Sequence, residues 1–192
     1  MFKIIWAILS KLPSNKLILF LRLFLLKKRS GFKIGKNVKI GKNFGLYPGI
    51  SLSIEDDVII GNNLSLKSEG RNGKSILSIG KGTLILSNVL LDCTGNLSIG
   101  KNCHIGRGSK IYTHFHDHRN NLLAPKDQPI VVGDVNIGDG TTLYEEVVVM
   151  SGINIAKNCI VGLRTVVTKS FEEEASVIAG IPAKTIGRRF NK

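Results

Sequence analysis

Residues 135–170 read VNIGDGTTLYEEVVVMSGINIAKNCIVGLRTVVTKS. Ile137, Leu143, Val149, Ile155, Val161 and Val167 stand six residues apart within it. Four residues after the first five of these come Thr141, Val147, Ile153, Cys159 and Thr165, and the residues between are mostly polar or glycine. A period of six fits neither the 3.6 of a helix nor the two of a free strand. It is the mark of a β-helix built from hexapeptides. Each hexad makes a short flat strand and a turn. Three hexads close one triangular coil, and stacked coils bury a continuous aliphatic column.

The same step runs outward through the chain. Ile79, Ile85 and Leu91 form one set, and Ile99, Ile105 and Ile111 another. The dipeptide Ile-Gly begins at Ile34, Ile40, Ile60, Ile79, Ile99, Ile105 and Ile137, and its glycine, with the Asn, Asp or Gly after it, is expected to ease the turn. Aromatic residues are only 6%, as suits a narrow column filled by Ile, Val and Leu. The expected fold is therefore an all-β solenoid over residues 31–192, ending in a short C-terminal tail. A chain of 192 residues has room for this one domain and an appendage.

The appendage carries most of the charge. Of 27 Lys and Arg, eleven lie in residues 1–54, before the first acid, Glu55; the remaining 16 face 14 Asp and Glu. The net +13 thus divides into +11 and +2, and the near-neutral body excludes a nucleic-acid-binding surface. Residues 1–30 hold two apolar runs, Ile4–Leu9 and Leu17–Leu26, separated by Pro13; Arg22 interrupts the second and Lys27, Lys28 and Arg29 close it. Neither run reaches the roughly 20 residues of a spanning helix. We expect an amphipathic α-helical segment at an anionic membrane surface, with Trp6 and the phenylalanines at the acyl boundary. Packing on the body or on a partner subunit is the alternative, and a shallow re-entrant turn at Pro13 another. The basic cluster suggests a cytoplasmic body, peripheral on the inner face of the cell membrane. Cys93, Cys103 and Cys159 have no metal or disulfide spacing and are expected in the core.

Two stretches break the repeat. Lys67–Lys74 (KSEGRNGK) is expected to bulge between coils. His114–Ile130 (HFHDHRNNLLAPKDQPI) is expected to be an extruded loop, with three of the four histidines. Histidine titrates near neutrality and suits proton transfer. Three histidines at alternate positions could also hold zinc. All three come from one loop, however, and no metal is expected.

The chain resembles the left-handed β-helix, hexapeptide-repeat acyltransferases, in the branch that acetylates sugars. The resemblance covers residues 31 to about 188 and is carried by residues 135–170 and by AGIPAKTIGRR, Ala179 to Arg189. It implies a homotrimer with acetyl-CoA as co-substrate in clefts between subunits. It implies a catalytic histidine in the stretch IYTHFHDH, at His116, with His114 the main rival and His118 third. Asp117 and Asp92 are the nearest carboxylates to orient it. Gly162 and Leu163 stand where backbone amides meet the pantetheine arm, and Lys169, Lys184 and Arg188 where phosphates lie. Asn88, Asp92, Tyr144 and Glu145 are acceptor-binding candidates. The family's Trp is replaced around Asp139–Tyr144, with Thr142 in its place, and its V-G-A-G-S is here Val161-Gly162-Leu163-Arg164-Thr165. The activity implied is O-acetylation of a cell-surface polysaccharide or its lipid-linked precursor. A soluble sugar or amino-sugar nucleotide is the alternative acceptor, and a zinc hydratase the alternative chemistry.

Overall fold

The computed structural model describes residues 2–13, 15–69, 74–119 and 122–190. Three parallel sheets form the sides of a prism. The first joins Phe32–Ile34, Ile50–Ile54, Ser75–Ile79, Leu97–Ile99, Val135–Ile137 and Asn154–Ile155. The second joins Lys39–Ile40, Ile59–Ile60, Leu84–Ile85, His104–Ile105, Thr142–Leu143 and Ile160–Val161, and ends with Ser176–Gly180 and Ala183–Arg188. The third joins Ser65–Lys67, Leu90–Asp92, Lys110–Ile111, Val148–Val149 and Val166–Val167. Every pairing within these sheets is parallel except the last in the second sheet.

The register puts like on like. Ile54, Ile79, Ile99, Ile137 and Ile155 stack in the first sheet. Ile60, Ile85, Ile105, Leu143, Val161 and Ile178 stack in the second. Leu66, Leu91, Ile111, Val149 and Val167 stack in the third. None of these is more than 4% exposed. A one-residue slip would turn every aliphatic outward, so the alternation pins the register. The three cysteines are free and buried in the same column.

Of the residues expected to ease the turn, the Asn or Gly after the Ile-Gly pair does so, and the Ile-Gly glycines have a different purpose. None of them has positive φ; that conformation falls two residues later, on Asn37, Gly82, Asn102 or Gly140. At Gly106 a Cβ would lie 2.3 Å from the backbone of Tyr144, and at Gly80 2.6 Å from the backbone of Gly100 and Lys101. These glycines let one coil sit directly on the next. At another corner, Asn43, Asn63, Asn88, Gly108, Glu146 and Arg164 all have positive φ. The asparagine amides run up the corner as a ladder: Asn43 donates to Asn63 at 2.8 Å and Asn63 to Asn88 at 2.7 Å. Glu146 and Arg164 continue it as an ion pair at 2.5 Å, which holds the Glu146 carboxyl below its usual range.

The N-terminal segment forms two helices, α1 (Phe2–Lys11) and α2 (Lys16–Lys27). Asn15 caps α2 by accepting from the Ile18 amide at 2.9 Å. Both helices pack on the first coil, which corrects the expectation that Trp6 faces lipid. Trp6 is 6% exposed, lies edge-on to Phe44, and donates to the Phe44 carbonyl at 3.1 Å. Leu26 is fully buried. So is Arg22, which donates to the carbonyls of Leu9, Ser10 and Leu12 at the end of α1 and to that of Ile40 in the first coil. A cation there also meets the negative end of the α1 dipole. The outer faces remain apolar, with Ile4, Ile8, Phe20 and Phe24 exposed. Among the described residues no helix is long and apolar enough to cross a membrane. At the other end, the expected tail is an antiparallel hairpin, 176–188, turning at Ile181-Pro182.

Candidate active site

Three successive coils bring their third strands to one corner. Register pairs Lys67 with Asp92 and Leu91 with Ile111. Counting on from these, Glu69, Thr94 and His114 occupy the same place in three neighbouring coils. His114 does not sit in a loose loop. The segment His114–His116 is a strand that pairs antiparallel with Ile130–Val132, and the Asp117 amide continues the ladder to the Pro129 carbonyl at 2.8 Å; residues 120 and 121 of the expected loop lie outside the described residues.

Asp92 is 2% exposed and accepts from every side. Its Oδ1 takes the Thr94 amide at 3.0 Å and the Thr94 hydroxyl at 2.7 Å. Its Oδ2 takes the Thr113 amide at 3.0 Å and His114 Nδ1 at 2.5 Å. Thr113 is itself fixed, donating its hydroxyl to the Asp92 carbonyl at 3.0 Å and accepting from the Gly95 amide at 2.8 Å. A carboxylate can only accept, so Nδ1 of neutral His114 carries the proton and Nε2 keeps its lone pair. The tautomer is assigned from this network.

His114 lines a cleft of about 700 Å3 with Tyr47, Lys67, Glu69, Tyr112, Phe115 and His116 among its walls. Glu69 Oε2 lies 3.6 Å from His114 Nε2 and 3.1 Å from His116 Nε2. The two imidazoles meet edge to face at 5.7 Å. The Glu69 amide donates to the Thr94 hydroxyl at 2.9 Å, which ties the first of these coils to Asp92. Next to Asp92, burial and the carboxylate push the Cys93 thiol up to about 12, so it is no nucleophile at neutral pH.

This geometry reorders the expected residues. His114, not His116, holds the buried carboxylate; His116 pairs with the exposed Glu69 instead. Asp117 accepts from the Arg119 amide and guanidinium at 3.0 and 3.1 Å, and these bonds, with the His118 charge nearby, lower its pKa. His118 is exposed. Asp92 borders the same cleft but spends both carboxylate oxygens on Thr94, Thr113 and His114. Asn88 belongs to the corner ladder and lines no cleft with His114. Tyr144, Glu145 and Leu163 do come together, with His104, in a separate groove of about 340 Å3.

The expected cofactor contacts change as well. The Gly162 amide is already spent on the Ile178 carbonyl at 2.7 Å, so it cannot serve a pantetheine arm. Arg188 pairs with Glu173. Lys169 lies over the Phe171 ring at 5.7 Å, and Lys184 is exposed on the terminal hairpin. Glu69, Thr94 and Thr113 were not expected at the site. Register could have found them, since Leu66, Leu91 and Ile111 mark equal places in the repeat. Residues 70–73 of the break after Lys67 lie outside the described residues.

No protein-family model matches the chain. Among curated proteins it is similar to a chloramphenicol acetyltransferase of Agrobacterium fabrum, 32% identical over 50% of this chain and 53% of that protein. The chain spans about half the length of the curated relatives it matches. Among solved structures it is similar to the polysialic acid O-acetyltransferase, with 29% identity, a TM-score of 0.59, and coverage of 82% of this chain and 74% of that one. A galactoside acetyltransferase in complex with coenzyme A shares the fold, with 17% identity, a TM-score of 0.70, and coverage of 98% and 79%. In sequence and in fold alike, the chain is similar to the hexapeptide-repeat acetyltransferases, including those that act on sugars.

Proposed function

We propose that this chain is an acetyl-CoA-dependent O-acetyltransferase, with the β-helix wound in the left-handed sense and assembled as a homotrimer. The observation that carries the reading is the buried Asp92–His114 pair, which turns the imidazole Nε2 into an open cleft. His114 Nε2 takes the proton of an acceptor hydroxyl as the oxygen attacks the thioester carbonyl of acetyl-CoA. The tetrahedral intermediate collapses, the C–S bond breaks, and the thiolate of CoA recovers the proton from His114. Asp92 stabilises the imidazolium in between, and no acyl-enzyme is needed. Acetyl-CoA as the donor is supported by the coenzyme A complex of the galactoside acetyltransferase.

The acceptor we propose is a sugar hydroxyl of a cell-surface polysaccharide or its lipid-linked precursor. The likeness to the polysialic acid enzyme supports it. The test is mass spectrometry of acetyl groups gained from acetyl-CoA by a panel of polysaccharides, a soluble galactoside and chloramphenicol. Acetylation confined to the small acceptors would overturn the acceptor, and no CoA release with any of them would overturn the activity.

We also propose that the protein works peripherally at the cytoplasmic membrane surface through α1 and α2. Their exposed Ile4, Ile8, Phe20 and Phe24 are flanked by Lys11, Lys16, Lys27 and Lys28. Basic side chains near an anionic leaflet add about 1 kcal/mol each. The full chain should therefore sediment with vesicles containing phosphatidylserine and far less with phosphatidylcholine alone. Replacing Phe20 and Phe24 by Ser should release it, without change in thermal stability because both rings are exposed. Equal sedimentation by the double variant would count against this surface.

A further inference from the structure

The three side chains that crowd the cleft around His114 have the chemistry of a metal site. Glu69, His114 and His116 each offer one ligand atom, and these atoms lie within 4.8 Å of one another. Two of the separations are 3.1 and 3.6 Å. A tetrahedral ion with bonds of about 2.0–2.1 Å wants its ligand atoms about 3.4 Å apart. Glu69 is half exposed and His116 about one-third exposed, so both have room to close the remaining gap. Asp92 already holds the far nitrogen of His114, the arrangement that orients a histidine ligand and raises its basicity.

We propose that Glu69, His114 and His116 form a binding site for a zinc-type divalent ion, and that the bound ion arrests acetyl transfer by occupying the Nε2 lone pair of His114. Two imidazoles and one carboxylate suit zinc, whereas calcium and magnesium prefer sets made of oxygen. Zinc carried by one loop of histidines is what the sequence argues against. The structure changes the argument because Glu69 arrives from a coil two turns away. The cleft side leaves room for a water as the fourth ligand. The site is thus a reversible brake on the enzyme rather than a part of its reaction. The arrest rests on His114 as the base, but the binding does not.

Equilibrium dialysis of the full chain against zinc, and visible spectra with cobalt in its place, test the binding directly. The expected result is one ion per chain and the absorption bands of four-coordinate cobalt. Glu69→Gln and His116→Gln should each weaken retention by at least about tenfold, since even outer partners of metal ligands count for that much. Circular dichroism of both variants shows whether the solenoid is kept. Wild-type protein retaining zinc no better than the two variants would overturn the site. Neither readout needs turnover, so they stand or fall apart from the acetyltransferase reading. If zinc binds and acetyl transfer continues undiminished, the arrest is wrong and the site alone survives.

Discussion

Replacing His114 by Ala is expected to lower acetyl transfer by about 10²–10⁴, the range that general-base assistance supplies. The prediction follows from one geometric fact. His114 Nδ1 sits 2.5 Å from a carboxylate that is itself held by two amides and a hydroxyl. The imidazole therefore cannot rotate or change tautomer without breaking a buried network. Asp92→Asn should be nearly as damaging, because an amide NH2 facing Nδ1 favours the other tautomer and puts a proton on Nε2. His116→Ala should cost much less, since its partner is the exposed Glu69. Initial rates at saturating acetyl-CoA, with coenzyme A binding measured in parallel, separate chemistry from donor binding. Equal losses in the His114 and His116 variants would sink the assignment, and so would a His114 variant with wild-type turnover.

Arg22→Ala is expected to release the N-terminal hairpin from the body. The guanidinium serves at least four carbonyls, and burial has pulled its pKa below the ordinary arginine value. Any of those carbonyls left buried and unpaired costs about 1–3 kcal/mol. Undocking would avoid that cost but expose Trp6 and Leu26, at about 1.5–3 kcal/mol each. Either way the first coil loses several kcal/mol of cover. Trp6 is the single tryptophan of the chain, so its fluorescence reports the hairpin alone. Emission should move to longer wavelength and acrylamide quenching should rise, together with a lower Tm. An unchanged Trp6 spectrum in the variant would show that Arg22 does not hold the hairpin in place.

Much of the solenoid was legible in the amino-acid sequence. The step of six from Ile137 to Val167 names the buried residues one by one, because only that spacing returns an aliphatic side chain to the same column. The site was legible only in part. The histidine stretch drew attention to the right segment, yet IYTHFHDH offers His114 and His116 in the same alternation. Nothing local distinguishes them. What separates them is Asp92, one coil away, and Glu69, two coils away. The N-terminal segment misleads in a similar way. An arginine inside an apolar run reads as a surface feature until the end of α1 and the first coil enclose it.

The amino-acid sequence by itself determined the repeat, the buried column and the segment that holds the histidines. These depend on periodicity, which is a property of neighbours along the chain. Tertiary structure alone decided that His114 takes the buried carboxylate, that Gly162 has no amide to offer, and that Arg22 joins the N-terminal helices to the prism. Those facts depend on which residues of different coils come within hydrogen-bond distance. In a parallel stack such partners are 18 to 25 residues apart or more, and a buried donor or acceptor must find its partner there or go unpaired.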